Sequence, residues 1–340
     1  MEKAKNLYMC RSPLQLLNCI EAREKMGQAG AEDIIFCAWR AEPDKQLMLR
    51  LLKIYPHWSE VYFLPLYPIK NQISALINIF WKTRHFSNLF VGDTTHLINI
   101  FINKVGTFGS IHLVDDGTAT HSLAQRIGNR TLHKTRKNGT PRGNINSAIQ
   151  AHLGMSQTFL YRAKIFTLYQ IDSKNPKNEV IPNELTFTKA IIGKKPRSKE
   201  IWFIGSNIRK SVLNDEIDYI ELLKQVNRSI DLSQVVYIPH RKETSDHLSQ
   251  IAVAFNMEIR RLNNIIELEL ANVSALPESF ISFGSSALDT IDIIAKTPTT
   301  VFCIPEDSIK EKSIPAYREM YKSFSEKGFK IIKLAAPKLQ

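Results

Sequence analysis

The chemistry this sequence can offer gathers where short apolar runs meet turns. Val114-Asp115-Asp116-Gly117-Thr118 ends one such run with two adjacent carboxylates, then a glycine for a sharp turn and a threonine able to cap a helix. Alternation along a strand sends the two acidic side chains to opposite sides, so one enters a cleft while the other braces the turn. A carboxylate at the carboxyl edge of a sheet can take the proton of a poor nucleophile such as a sugar hydroxyl. Asp and Gly also serve turns and caps with no chemistry at all, and the residues alone leave both uses open.

Three further clusters have the same setting. In Tyr237-Ile238-Pro239-His240-Arg241-Lys242-Glu243 a strand runs into a histidine and two cations. Arg241 would neutralise a departing phosphate and His240 would give it a proton or hydrogen bond, although a histidine after a strand also serves structure. In Phe283-Gly284-Ser285-Ser286-Ala287-Leu288 the glycine allows close backbone approach, and paired hydroxyls at a helix start form a phosphate cradle. One of those serines is explained by capping alone. The arrangement lacks the Gly-Lys-Ser/Thr of a Walker A loop. Gly205 and Ser206, which end the first strand of the second half, are placed with this donor-binding group. In Ile266-Glu267-Leu268-Glu269-Leu270 a carboxylate, Glu267, could take ribose hydroxyls or simply lie on an exposed helix face. Near the N-terminus, Cys10-Arg11-Ser12-Pro13-Leu14-Gln15 reads as a cap at Ser12, a first helical residue at Pro13 and a capping box closed by Gln15. The same helix start could receive an anion or a sugar carboxylate, with Arg11 alongside.

These clusters need elements to hold them. Strands are predicted at Asn6–Cys10, Asp33–Trp39, Val61–Leu64, Asn88–Val91 and Ser110–Val114, alternating with helices over Pro13–Lys25, Asp44–Ile54, Lys70–Lys82, Thr95–Lys104 and Thr118–Arg126. Continuous apolar strands separated by helices indicate a parallel sheet covered on both faces. Leu153–Ile171 reads as a further helix and strand, and the polar stretches Ser173–Glu184 and Gly193–Glu200 read as a junction. The pattern then restarts, with strands at Ile201–Gly205, Gln234–Pro239, Glu258–Leu262, Phe280–Phe283 and Thr299–Cys303. Helices fit Asp215–Asn227, Ser245–Phe255, Glu267–Ala271, Ser286–Ala295 and Pro315–Lys327, and Phe329–Leu334 is a last strand or a segment returning to the first domain. The fold class is α/β: two Rossmann-like domains, 1–175 and 201–340, joined by a linker over 176–200, with their parallel sheets facing a central cleft.

Composition narrows the partners. A chain of 340 residues that is 44% hydrophobic and 23% charged is globular rather than disordered or fibrous. No apolar run approaches the ~20 residues of a membrane span, and Arg11 falls where a signal peptide would be apolar, so a cytoplasmic location is expected. The four cysteines, without paired or metal-ligand spacing, read as buried thiols. The net charge of +12 favours polyanionic partners, but no nucleic-acid module is present. The densest basic stretch, Arg130–Arg142, reads as a solvated loop or one that touches anionic lipid or a glycan acceptor.

In their order, these clusters resemble the bacterial sialyltransferases of glycosyltransferase family 52, and more distantly the polysialyltransferases and the marine multifunctional sialyltransferases. The resemblance is carried by Ser12–Gln15, Asp115–Gly117, Pro239–Arg241, Ile266–Leu270 and Ser285–Leu288. It implies a GT-B fold and a CMP-activated sialic acid donor. It further implies that Asp115 is the base, that His240 assists departure of the CMP phosphate, that Ser285 and Ser286 bind that phosphate and that Glu267 binds the ribose. Relatives carry His-Pro where this chain has Pro239-His240. The resemblance also implies an acceptor of terminal galactose on lipooligosaccharide, O-antigen or capsule, often linked α2,3, and an acceptor borne on lipid would suit the basic loops. A single leaving phosphate needs no divalent metal, and no Asp-x-Asp stands at a strand end. The spacing Asp289-Thr290-Ile291-Asp292 falls inside a predicted helix and is read as surface. The expected reaction is an inverting transfer without cofactor. A CMP-Kdo or UDP-sugar transferase of the same fold and a non-catalytic polyanion-binding protein are the rival readings.

Overall fold

The structure is a computed structural model, and it describes residues 3–92, 94, 96–117, 119–132, 152–169, 171, 178–240 and 242–336. The chain divides into two compact units, 1–187 and 188–340.

In the first unit, runs such as Asn6–Cys10 and Ile34–Ala38 are buried along their whole length, as strands covered on both faces must be. They belong to a seven-stranded parallel sheet formed by β1 (Lys5–Cys10), β2 (Glu32–Trp39), β3 (Glu60–Pro65), β4 (His85–Val91), β5 (Thr107–Val114), β6 (Lys164–Thr167) and β7 (Val180–Pro182). The strand order is β3-β2-β1-β4-β5-β6-β7, so the direction of winding reverses between β1 and β4. Loops leaving the carboxyl ends of those two strands open away from each other, which is where such sheets bind ligands. Helices α1 (Pro13–Met26), α2 (Glu42–Ile54), α3 (Ile69–Lys82), α4 (His96–Ile100) and α5 (Ala119–Gly128) connect the strands. A π-helical turn, Phe101–Val105, extends α4 and ends one residue past the helix predicted over Thr95–Lys104. Across the middle of the sheet Tyr8 stacks on Phe90 at 4.4 Å, and Phe90 on His112 at 4.6 Å. Burial and nearby Lys164 push the His112 imidazole down to about 4, so this histidine is a neutral core residue at pH 7.

Two predictions for the end of this unit need correction. Leu153–Ile171 holds the predicted strand as β6, but a 3₁₀ turn, Thr158–Arg162, stands in place of the predicted helix. Val180–Pro182 lies inside the predicted linker yet is the seventh strand, paired with β6 through Ile165↔Val180. A three-residue edge strand flanked by polar residues has too little periodicity to stand out. The next helix, α6 (Thr186–Ile192), spans the division between the units.

The second unit carries a six-stranded parallel sheet in the order β10-β9-β8-β11-β12-β13. Its strands are β8 (Ile201–Ile204), β9 (Val235–Ile238), β10 (Glu258–Ile259), β11 (Ser279–Ser282), β12 (Thr299–Cys303) and β13 (Lys330–Lys333). Phe329–Leu334 therefore supplies the edge strand of this sheet, β13 pairing with β12. Helices α7 (Ile208–Ser211), α8 (Tyr219–Asn227), α9 (Ser245–Phe255), α10 (Ile266–Asn272), α11 (Ala287–Ala295) and α12 (Ile314–Glu326) complete it. Helix α8 starts four residues later than predicted because Asp218 caps it, accepting from the Ile220 N–H at 2.9 Å. Winding reverses here between β8 and β11. No described helix is long and apolar enough to cross a membrane. Cys10, Cys19 and Cys37 are buried, Cys303 is half-buried, and all are free thiols.

Candidate active site

At the carboxyl edge of the first sheet, β1 delivers Arg11 and Ser12 to the start of α1. Ser12 caps the helix, its Oγ accepting from the Gln15 N–H at 3.2 Å. The predicted reciprocal bond is displaced by one residue: Gln15 Oε1 accepts from the N–H of Arg11, at 2.8 Å, rather than from that of the cap. Pro13 is buried at the first helical position, and Gln15 is also buried. The Gln15 side chain lies so close to Gly92, after β4, that a β-carbon there would stand 2.9 Å from it. Gln15 is thereby fixed as a brace between neighbouring strand ends, while Arg11 and Ser12 remain half-buried at the rim.

Just past the end of β5, Asp115 is fully buried and Asp116 exposed. Asp115 Oδ2 accepts from the Leu168 N–H at the end of β6, at 2.7 Å. The Asn18 amide donates to the Asp115 carbonyl at 3.1 Å, tying the turn to α1. Oδ1 of Asp115 is buried without a hydrogen-bond partner among the described residues. Burial drives the carboxyl up to about 7. Hydrogen bonds from Thr167, Leu168 and Thr120 oppose that rise, and the charge of Asp116 adds to it. The Asp116 N–H donates to Thr120 Oγ1 at 2.7 Å as the chain turns through Gly117 into α5. Thr118, the predicted cap, and most of the basic stretch Arg130–Arg142 lie outside the described residues.

In the second unit, three adjacent strands, β9, β8 and β11, bring their carboxyl ends together. They carry Pro239 and His240, Gly205 and Ser206, and Gly284 to Ser286 respectively, so these predicted donor residues share one edge. Arg241 lies outside the described residues. His240 Nδ1 accepts from the Lys242 N–H at 3.2 Å, which places the proton of the neutral ring on Nε2.

The loop is held by Glu243, to which the sequence pattern assigns no role. Glu243, with a side chain only 6% exposed, accepts from the His240 N–H through Oε2 at 2.6 Å and from the Tyr237 hydroxyl through Oε1 at 2.8 Å. Tyr237 in turn meets the Tyr219 hydroxyl at 2.8 Å. Burial raises the Glu243 carboxyl above its ordinary range. Gly205 is required by this packing, since a β-carbon there would stand 2.7 Å from Glu243 Oε2. The one local signal was spacing: a glutamate three residues after His240 can reach back to its N–H, as in a capping box.

Beside it, Gly284 takes a φ of 141°, a conformation that L side chains rarely adopt. Its N–H donates to Ser282 Oγ at 3.0 Å, and the Tyr321 hydroxyl of α12 donates to the Phe283 carbonyl at 2.9 Å. Ser285 Oγ accepts from the Ala287 N–H at 3.3 Å, whereas Ser286 makes no side-chain cap. Both serines are half-buried at the start of α11. Glu267 is buried, 4% exposed, which removes the exposed-face reading; its Oε1 accepts from the Thr290 hydroxyl at 2.9 Å. Asp289 likewise is not on the surface as predicted, because it is buried against Lys327 of the α12–β13 turn. An open depression of about 590 Å³ beside Lys296, Pro298 and Lys327 lies at the amino ends of β12 and β13, the edge opposite these loops.

The sequence model of glycosyltransferase family 52 matches residues 50–293. No curated protein matches the chain. Among solved structures, the sialyltransferase from Photobacterium damsela is similar with a TM-score of 0.50 at 12% identity, over 98% of this chain and 82% of that one. The UDP-GlcNAc 2-epimerase from Neisseria meningitidis, bound to UDP-GlcNAc, gives a TM-score of 0.50 at 10% identity, over 96% of this chain and 95% of that one. At such identities the likeness is one of fold, and the fold is GT-B, built from two Rossmann-like domains.

Proposed function

The chain belongs to glycosyltransferase family 52, and from that premise we propose that it is an inverting sialyltransferase using CMP-sialic acid. The observation that carries the proposal is Asp115: a buried carboxylate at the carboxyl end of β5, one oxygen without a hydrogen-bond partner among the described residues, its affinity for protons raised to about 7. A general base works best when poised near the working pH. In the proposed reaction an acceptor hydroxyl oxygen attacks the anomeric carbon of sialic acid, and the bond from that carbon to the CMP phosphate oxygen breaks. CMP leaves with the electron pair, and the hydroxyl proton passes to Asp115.

The leaving phosphate is assigned to the second unit's carboxyl edge. His240 offers its Nε2–H, and Ser285 and Ser286 offer hydroxyls beside the backbone N–H groups of Gly284 and its neighbours. Arg241, Gly205, Ser206 and Pro239 complete the donor loops, and Glu267 orders the same edge through Thr290. Charge on one phosphate met by these donors needs no metal ion, so activity in excess chelator is part of the proposal. Arg11, Ser12, Pro13 and Gln15 are assigned to the sugar and acceptor side. The acceptor is a terminal sugar, galactose in an α2,3 linkage, on a bacterial surface glycan assembled at the cytoplasmic face of the inner membrane. Measuring CMP release and sialyl transfer onto galactose-terminated glycans tests this directly; a protein inert with CMP-sialic acid would refute it.

Glu243 gives a separate check. With its carboxylate bonded to the His240 N–H and to Tyr237, Glu243→Ala is expected to lower kcat by roughly 10- to 100-fold through misplacement of His240. Glu243→Gln keeps one acceptor oxygen and should recover part of the loss. Steady-state kinetics with the fold monitored by circular dichroism separates this from unfolding. Equal kcat in wild type and Glu243→Ala would exclude the positioning role.

A further inference from the structure

The first unit exposes an apolar row that its own packing does not use. In α3, Gln72, Ala75, Leu76 and Ile79 are buried. Ile69, Ile73, Ile77 and Trp81 run along another face of the helix at 49, 41, 50 and 70% exposure. Side chains four residues apart are neighbours on a helix, so these form one slowly winding row about 18 Å long. Tyr67, just before the helix, is 67% exposed and extends the row toward the carboxyl edge of the sheet. Monomeric surfaces scatter large apolar side chains singly, whereas a contiguous row marks a contact surface.

Charge indicates what covers it. From Val61 to Gly92 the sequence contains no Asp or Glu, while Lys70, Lys82 and Arg84 are all exposed in or beside the row. Lys82 reaches back to Glu60. The Arg84 guanidinium lies over the Phe80 ring at 5.1 Å and the Trp81 ring at 5.8 Å. A second copy of this chain docking face to face would bring Lys70 and Arg84 of one copy against those of the other, with Glu60 already engaged by Lys82. An anionic lipid surface instead gives the cations phosphates, while isoleucine and tryptophan side chains enter the boundary between headgroups and acyl chains. We propose that the α3 row docks this protein on an anionic phospholipid membrane. Helix α3 begins at the carboxyl end of β3, the sheet edge that also carries Arg11 and Asp115, so docking there sets that edge near lipid-borne glycans. The docking itself does not depend on which sugar donor is used.

The test is co-sedimentation of the full chain with phosphatidylcholine vesicles, with and without phosphatidylglycerol. Wild type is expected to bind the anionic vesicles and to lose binding at high salt. The triple variant Ile73→Ser, Ile77→Ser, Trp81→Ser should bind at least about tenfold more weakly. Lys70→Glu alone should weaken binding several-fold on anionic vesicles, without disturbing the thermal melt. Anionic-vesicle binding that neither variant reduces would overturn the proposal. So would sedimentation velocity showing a wild-type dimer that the triple variant converts to monomer.

Discussion

Asp115→Asn is expected to lower kcat/KM for sialyl transfer by about 10²- to 10⁴-fold, the usual contribution of a positioned general base. Asp116→Asn should stay within about tenfold of wild type, because the Asp116 side chain is exposed and its turn is held by backbone N–H to Thr120. Steady-state transfer kinetics on the two variants separates the pair, and the reverse ranking would move the base to Asp116. In the wild type, the rate should rise as pH climbs through about 7, where Asp115 ionises, and then level off.

The same carboxyl makes a stability test with a definite sign. Its affinity for protons is higher folded than unfolded, so wild type is favoured at pH below about 4 and loses that advantage as pH rises to about 7. The loss amounts to a few kcal/mol, at about 1.4 kcal/mol per pH unit of displacement. Asp115→Asn removes the titration, so its melting temperature relative to wild type should increase between pH 5 and pH 8. An inactive variant that is no less stable than wild type would be difficult to explain by a structural role alone.

The second large effect belongs to His240. His240→Ala is expected to cost about 10²- to 10³-fold in kcat, the scale of one lost donor to developing charge, with a smaller change in donor KM. The expectation rests on geometry: Nδ1 accepts from the Lys242 N–H, leaving Nε2 to donate, and Glu243 fixes the loop beneath. A donor with a better leaving group should recover part of the loss in His240→Ala, because less charge then needs support. A variant that retains near wild-type kcat would remove His240 from the reaction.

The elements were legible wherever burial ran the length of a strand. Leu7–Cys10 and Ile34–Ala38 are apolar throughout, and their continuous burial distinguishes a two-sided parallel sheet from a half-exposed one. Other features depend on contacts that no local pattern carries. Glu243 becomes the support of His240 because Tyr237 and Gly205 bring its carboxylate under the loop. Asp289 is buried because Lys327, far along the chain, comes to meet it. Val180–Pro182 is a strand because β6 offers it an open edge, and its flanking polar residues alone suggest a linker.

The most direct measurement is the release of CMP or UDP from CMP-sialic acid, CMP-Kdo and UDP-sugars, in excess chelator and with a galactose-terminated acceptor. CMP-sialic acid should be turned over at least about a hundredfold faster than the other donors, with the product of inverted anomeric configuration. Turnover of CMP-Kdo or a UDP-sugar with none of CMP-sialic acid would contradict the assignment.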